Sequence, residues 1–103
     1  MRNIGKLMKQ AQDMQAKMGK LQEELAHKEV EGTSGGGMVT VKMNGQQEVL
    51  AIRIESEVFD DGDKEMLEDL VVAAVNEARR QALELAREEM SKITGGLPMP
   101  GLF

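Results

Sequence analysis

The chain is poor in the residues that most often carry chemistry. None of its 103 residues is cysteine, tryptophan or tyrosine, and the aromatics are Phe59 and Phe103 alone. Without thiols there is no disulfide framework and no thiolate metal site, which fits a reducing compartment. Without tyrosine or tryptophan there is no platform on which to stack bases, which argues against single-strand readers of the RRM or OB type. No apolar run approaches the ~20 residues of a membrane span. The opening "MRNIGKLMKQ" has no signal-peptide core. These absences together lead us to expect a cytoplasmic protein without a membrane partner.

What is present is charge, unevenly spread. The net charge is −5. Residues 1–20 carry Arg2, Lys6, Lys9, Lys17 and Lys20 against Asp13, or +4, so the remainder sums to −9. A basic N-terminal arm precedes an acidic body. The length suits one domain, expected over 1–94, followed by a Gly/Pro-rich tail over 95–103. A domain of this size is marginally stable alone, and association with a second copy would help.

Three patterns set the fold class. Ile4, Leu7, Ala11, Met14, Met18, Leu21 and Leu25 step by 3 and 4 residues in alternation, which is a heptad seam. It predicts a helix over 3–28, roughly 39 Å long and too long to lie wholly on a small body. Part of it should project or pack on another helix. Next, Val39, Val41 and Met43, then Leu50, Ile52 and Ile54, alternate with other side chains as half-buried strands do. Asn44-Gly45 between them signals a type I′ hairpin turn, and residues 29–34 read as an edge strand shortened by Gly32. Finally, "DDGDKEMLEDL" opens a second long helix with Asp63 as N-cap and Glu65 favouring the helix dipole. That helix should run to about Ile93, with an apolar face from Leu67 to Leu85. The expected class is α+β: an α-β-β-β-α chain with a three-stranded antiparallel meander between two long helices.

Each chemical candidate has a simpler explanation. Gly35-Gly36-Gly37 runs into Met38 and a strand, not into a helix with a following lysine, so it is a turn and no phosphate-binding loop. Asp60, Asp61, Asp63 and Glu65 lack the calcium-loop spacing, and a helix starts at once, so capping accounts for them. His27 is the lone histidine, and Ser34, Ser56 and Ser91 have no nucleophile context. Met8, Met14 and Met18 are adaptable packing on or beside the seam. No catalytic residue, metal ligand, cofactor or small-molecule substrate is expected, and the chain does not read as an enzyme.

The basic arm is the sharpest feature. On a helical wheel at 100° per residue the seam falls within about 300° to 40°. Arg2, Lys6, Lys9, Lys17 and Lys20 fall between about 180° and 260°. A solvated helix face usually mixes signs, and positive charge in the first turns opposes the helix dipole. Such a stripe suits an anionic partner. Lysine is a point charge that tracks phosphates without reading bases, so duplex DNA held through its backbone fits best. Arg79, Arg80 and Arg87 lie among acids on the second long helix, where Arg80–Glu84 and Glu88–Lys92 are spaced as surface pairs, and are weaker candidates. The alternative is a protein–protein adaptor that docks a partner helix on the seam.

"LMKQAQDMQAKMGKLQEEL", "VEGTSGGGMVTVKMNG", "DDGDKEMLEDLVVAAVNEA" and a terminal "LPMPGLF", in that order, resemble the YbaB/EbfC family of bacterial nucleoid-associated proteins. The resemblance covers nearly the whole chain. It implies a homodimer with protruding helices, DNA binding, a place on the nucleoid, and roles in compaction or gene expression with a link to recombination and repair. It implies a binding surface on the two long helices, here Lys6, Lys9, Lys17 and Lys20, with Arg79, Arg80 and Arg87 second.

Overall fold

A computed structural model describes residues 3–95. Arg2, and all of the expected tail except Gly95, lie outside the described residues. The order is α1 (Ile4–Ala26), β1 (Glu29–Ser34), a 3₁₀ turn (Gly35–Gly37), β2 (Val39–Asn44), β3 (Val49–Ile54), a short α2 (Ser56–Asp60) and α3 (Lys64–Thr94). The class is α+β with an antiparallel meander, as the sequence predicts; the five-residue α2 is an addition. The strands lie in the order β1-β2-β3, so β1 and β3 are both edges.

The core forms where α3 crosses the sheet. Val39, Val41 and Met43 of β2 meet Ala74, Ala78 and Ala82 of α3, all buried. The alanines recur every four residues and present a flat stripe, so the helix backbone settles close to the strands. Gly32 completes that approach. It pairs with Val41 in mid-strand, and a Cβ there would stand 2.1 Å from the Ala78 nitrogen and 2.5 Å from the Ala74 carbonyl. Gly32 therefore does not shorten β1; it lets α3 lie on it. Ser34 Oγ donates to the Leu70 carbonyl at 2.6 Å and ties the end of β1 to the same helix.

The three glycines are a turn. Gly35, Gly36 and Gly37 have φ of 58°, 66° and 96°, a run of left-handed residues that only glycine adopts without strain. Asp63 caps α3 as predicted, its side chain accepting from the Met66 N–H at 3.0 Å. Gly95 closes the helix with φ 68°.

The hairpin signal is satisfied differently from the expectation. Asn44 still belongs to β2, and the left-handed residue of the loop is Gln47 at φ 66°, not Gly45. There is no two-residue I′ turn. Asn44 Oδ1 accepts from the Gln46 and Glu48 N–H groups at 2.9 and 3.0 Å, which shapes a longer loop. Gly45 is there for space: its N–H donates to the Leu25 carbonyl at 2.8 Å and a Cβ would lie 2.7 Å from that oxygen. The loop is a seat for the end of α1.

The meander is covered by α3 over β1 and β2 only. β3 overhangs the helix, so Leu50, Ile52 and Ile54 stay 49, 46 and 37 % exposed rather than half-buried. The protomer is long, 70 × 22 × 17 Å, because α1 and the far half of α3 run out of the body side by side.

Candidate nucleic-acid interface

The projecting arm is an antiparallel helix pair. Leu21 and Leu25 of α1 bury themselves against Ala86 and Met90 of α3, with Met18, Leu85 and Ile93 packed around them. α3 stops at Thr94, near the level of Met18, and α1 continues past it. From Met18 to Lys6 that overhang is roughly 18 Å of helix. The seam is consequently split by function. Its last turns anchor the arm, and its first turns are bare: Ile4 and Leu7 are 48 and 60 % exposed.

Polar contacts at the root of the arm hold it to the body. Lys28 Nζ lies 2.5 Å from Glu89 Oε1, and Lys92 Nζ reaches the same oxygen at 3.4 Å. The Glu89 side chain is 10 % exposed. The hydrogen bond from Lys28 holds its carboxyl below the ordinary 4.5, against the opposing effect of burial. The same bond raises the Lys28 ammonium above its ordinary 10.5. Asn44 Nδ2 donates to the Ala26 carbonyl at 3.3 Å and to Glu48 Oε1 at 2.8 Å. Gln46 Nε2 donates to the Gln22 carbonyl at 2.7 Å. The Asn44 bond to Ala26 and the Gly45 N–H bond to Leu25 satisfy carbonyls in the last turn of α1 that have no intrahelical partner. They set where the arm points.

Lys6, Lys9, Lys17 and Lys20 are all exposed along this arm. Among the described residues no carboxylate pairs with any of the four. Asn3 at the start of α1 makes no side-chain cap and the first turn holds no acid, so nothing offsets the lysines there. From Lys6 to Lys20 the stripe runs about 21 Å along one face.

The arginines stand apart from it. Arg79 sits over the sheet, its Nε donating to Gln47 Oε1 at 3.1 Å. Arg80 bonds Glu77 at 2.5 Å rather than Glu84, which corrects the expected pairing. Lys92 likewise joins Glu89 and not Glu88. Arg87 is the one candidate arginine on the arm portion of α3, with Glu84 at 3.9 Å. Each has a neighbour that competes for it, and the lysines do not. Of the residues that root the arm, Lys28, Gln46 and Glu89 were not singled out from the sequence, and Asn44 was read there only as part of a turn. No cluster of three or more His, Asp or Glu positioned for a metal occurs among the described residues. No described helix is long and apolar enough to cross a membrane.

A long arm with one unpaired basic face is the arrangement that the sequence resemblance implies, and comparison with known proteins decides the matter. The model of the YbaB/EbfC DNA-binding family matches residues 1–97. The chain belongs to the YbaB/EbfC DNA-binding family. It is 57 % identical over 101 residues to nucleoid-associated protein TTE0040 of Caldanaerobacter subterraneus subsp. tengcongensis, covering 98 % of this chain and 91 % of that one. It is 52 % identical over 100 residues to nucleoid-associated protein DP1429 of Desulfotalea psychrophila, covering 97 % and 94 %. Among solved structures, the uncharacterized protein HP0035 of Helicobacter pylori superposes with a TM-score of 0.77. That pair shares 23 % identity over 88 % of this chain and 96 % of the other, a likeness of fold. This YbaB/EbfC member thus shares its α+β meander with long flanking helices with that structure.

Proposed function

We propose that this protein binds duplex DNA as a homodimer, through phosphate contacts from the lysine face of α1, and acts in nucleoid organisation or gene regulation on the bacterial nucleoid. The observation that carries the reading is the unpaired stripe of Lys6, Lys9, Lys17 and Lys20 on an arm that stands clear of the acidic body. Arg87 supports it from α3, and Arg79 and Arg80 serve it less.

The second copy is suggested by β3. Among the described residues its outer edge carries no strand, and Leu50, Ile52 and Ile54 beside it are exposed. An exposed edge of that kind invites pairing with another strand. Antiparallel pairing of two β3 edges would extend the sheet and cover both apolar stripes. Ile52→Lys is then expected to reduce the mass in solution to that of one chain.

The test of DNA binding is a titration of fluorescent duplexes of unrelated sequence at rising salt. With four lysines per protomer engaged on each of two arms, affinity should fall by roughly 10³ or more between 50 and 200 mM salt. All duplexes should bind alike, because lysine contacts to phosphate carry no base information. Replacing the four lysines by glutamine should abolish binding while the circular dichroism stays unchanged. The bare seam favours the adaptor reading, and that reading predicts the opposite: the quadruple variant keeps its partner and the wild type ignores DNA at low salt.

A further inference from the structure

Beyond Met18 no described element covers the seam of α1. Helix α3 stops at Thr94, and Gly95 closes it in left-handed backbone at φ 68°. Ile93, the last apolar residue of α3, packs in the same cluster as Met18. Further out, Ile4, Leu7, Met8 and Met14 are 48, 60, 60 and 38 % exposed. A Cβ added at Gly5 would meet nothing within 4 Å. The overhang is about two heptads long, and a helix that short is marginal in water without a packed face.

The chain carries a segment that matches this gap. The eight residues after Gly95 read "GLPMPGLF". They begin where α3 leaves the seam. Pro98 and Pro100 exclude a continued helix and bias Leu97 and Met99 toward extended backbone. At ~3.1 Å per residue an extended segment of that length spans roughly 25 Å. The seam from Met18 to Ile4 is roughly 21 Å long. Leu97, Met99, Leu102 and Phe103 are apolar, and none of the eight side chains is charged. Neutrality suits the site. Lys17 stands at position g on the flank of the seam, and Lys6 and Lys9 lie at c and f on the opposite face. A neutral occupant covers the apolar side chains and leaves every lysine free for an anion.

We propose that residues 97–103 dock along the bare α1 seam of their own chain, running from Met18 toward Ile4. They take over the seam where α3 gives it up and carry the same apolar interface to the tip of the arm. The consequence for the lysines rests on the DNA reading above. A tip helix packed on one face holds Lys6, Lys9 and Lys17 in register along the other. With the cover removed the tip frays and the stripe loses its spacing.

The docking is tested without DNA. The chain contains no cysteine, so paired cysteine variants are clean probes. In the full-length protein Met99→Cys is combined with Ala11→Cys, on the seam, or with Asp13→Cys, on the far side of the same helix. Each is treated with a short bis-maleimide, and products are sized under denaturing conditions. The seam pair should link within one chain several-fold more than the far-side pair. Equal linking would overturn the proposal. So would linking of the seam pair mainly between two chains, because a second copy then covers the seam.

A second full-length variant, with Leu97, Met99, Leu102 and Phe103 all replaced by glutamine, tests the effect on the tip. Amides from Leu7 to Met14 should exchange several-fold faster than in the wild type, with Val39 and Val41 unchanged. Unaltered exchange from Leu7 to Met14 would overturn the proposal. The same variant should bind a fluorescent duplex several-fold more weakly. Faster exchange at the tip with full DNA affinity keeps the docking and defeats the reading in which DNA is held by lysines in helical register.

Discussion

Lys28 and Glu89 lie 61 residues apart in sequence, yet the Nζ of one sits 2.5 Å from an Oε1 of the other. This pair joins the start of β1 to the far half of α3, at the point where the arm leaves the body. Glu89→Gln should loosen that joint without unfolding the sheet, whose core is elsewhere. The expected readout is faster amide exchange at Leu21 and Leu25, with exchange at Val39 and Val41 unchanged.

The same pair sets an acid limit. The Glu89 carboxyl titrates below its ordinary 4.5 because Lys28 donates to its charged form. A depressed carboxylate contributes fully above the unfolded value and loses that contribution as pH falls through the folded one. Arm protection should therefore be constant above pH 4.5 and decline below it. In the Glu89→Gln variant that decline should vanish. Amide exchange measured across this range decides it.

Gly32→Ala tests the closest contact of the core. The new Cβ would lie 2.1 Å from backbone of α3, which cannot rotate aside as a side chain could. The helix must lift from the sheet, at a cost of about 3 kcal/mol or more. Denaturant unfolding should show a lower midpoint of that size.

Two further glycines should fail for different reasons. Gly36 has φ 66° and open space around it, so Gly36→Ala should cost about 1 kcal/mol and Gly36→Asn less, since asparagine tolerates left-handed backbone. Gly45 has crowding instead, with the Leu25 carbonyl 2.7 Å from a Cβ. Gly45→Asn should be no milder than Gly45→Ala. Four midpoints measured together separate strain from lack of room.

Asp63→Ala should remove the cap of α3 and cost about 1 kcal/mol. The Met66 N–H, which now donates to Asp63 Oδ1 at 3.0 Å, would exchange faster in the variant.

Periodicity explains why most of the architecture was legible. The heptad spacing of Ile4 to Leu25, the alternation through β2 and β3, and the cap at Asp63 are local signals, and the chain obeys each of them. Non-local partners explain the misses. Asn44-Gly45 carries a turn signal, but the carbonyl of Leu25 docks there and claims the glycine for close approach. Alternation marks Leu50, Ile52 and Ile54 as one face of a strand, but it cannot say whether a helix covers that face. Of the candidate site, the lysine stripe was visible because charge on a helix follows from residue spacing alone. Its mounting was not: Lys28 and Glu89 meet only through the fold, and local i,i+4 reasoning assigned Lys92 and Arg80 to the wrong acids.

The overhang of α1 also separates the protein electrically into two regions. Charges in physiological salt are screened within about 8 Å, and Lys6 stands roughly 22 Å beyond the first buried residue of the arm. An anion arriving at the tip senses a local cation, whatever the sum over the chain. A protein with net charge −5 can thus repel DNA along its flank and attract it at its end. Its isoelectric point therefore says little about how it behaves at contact.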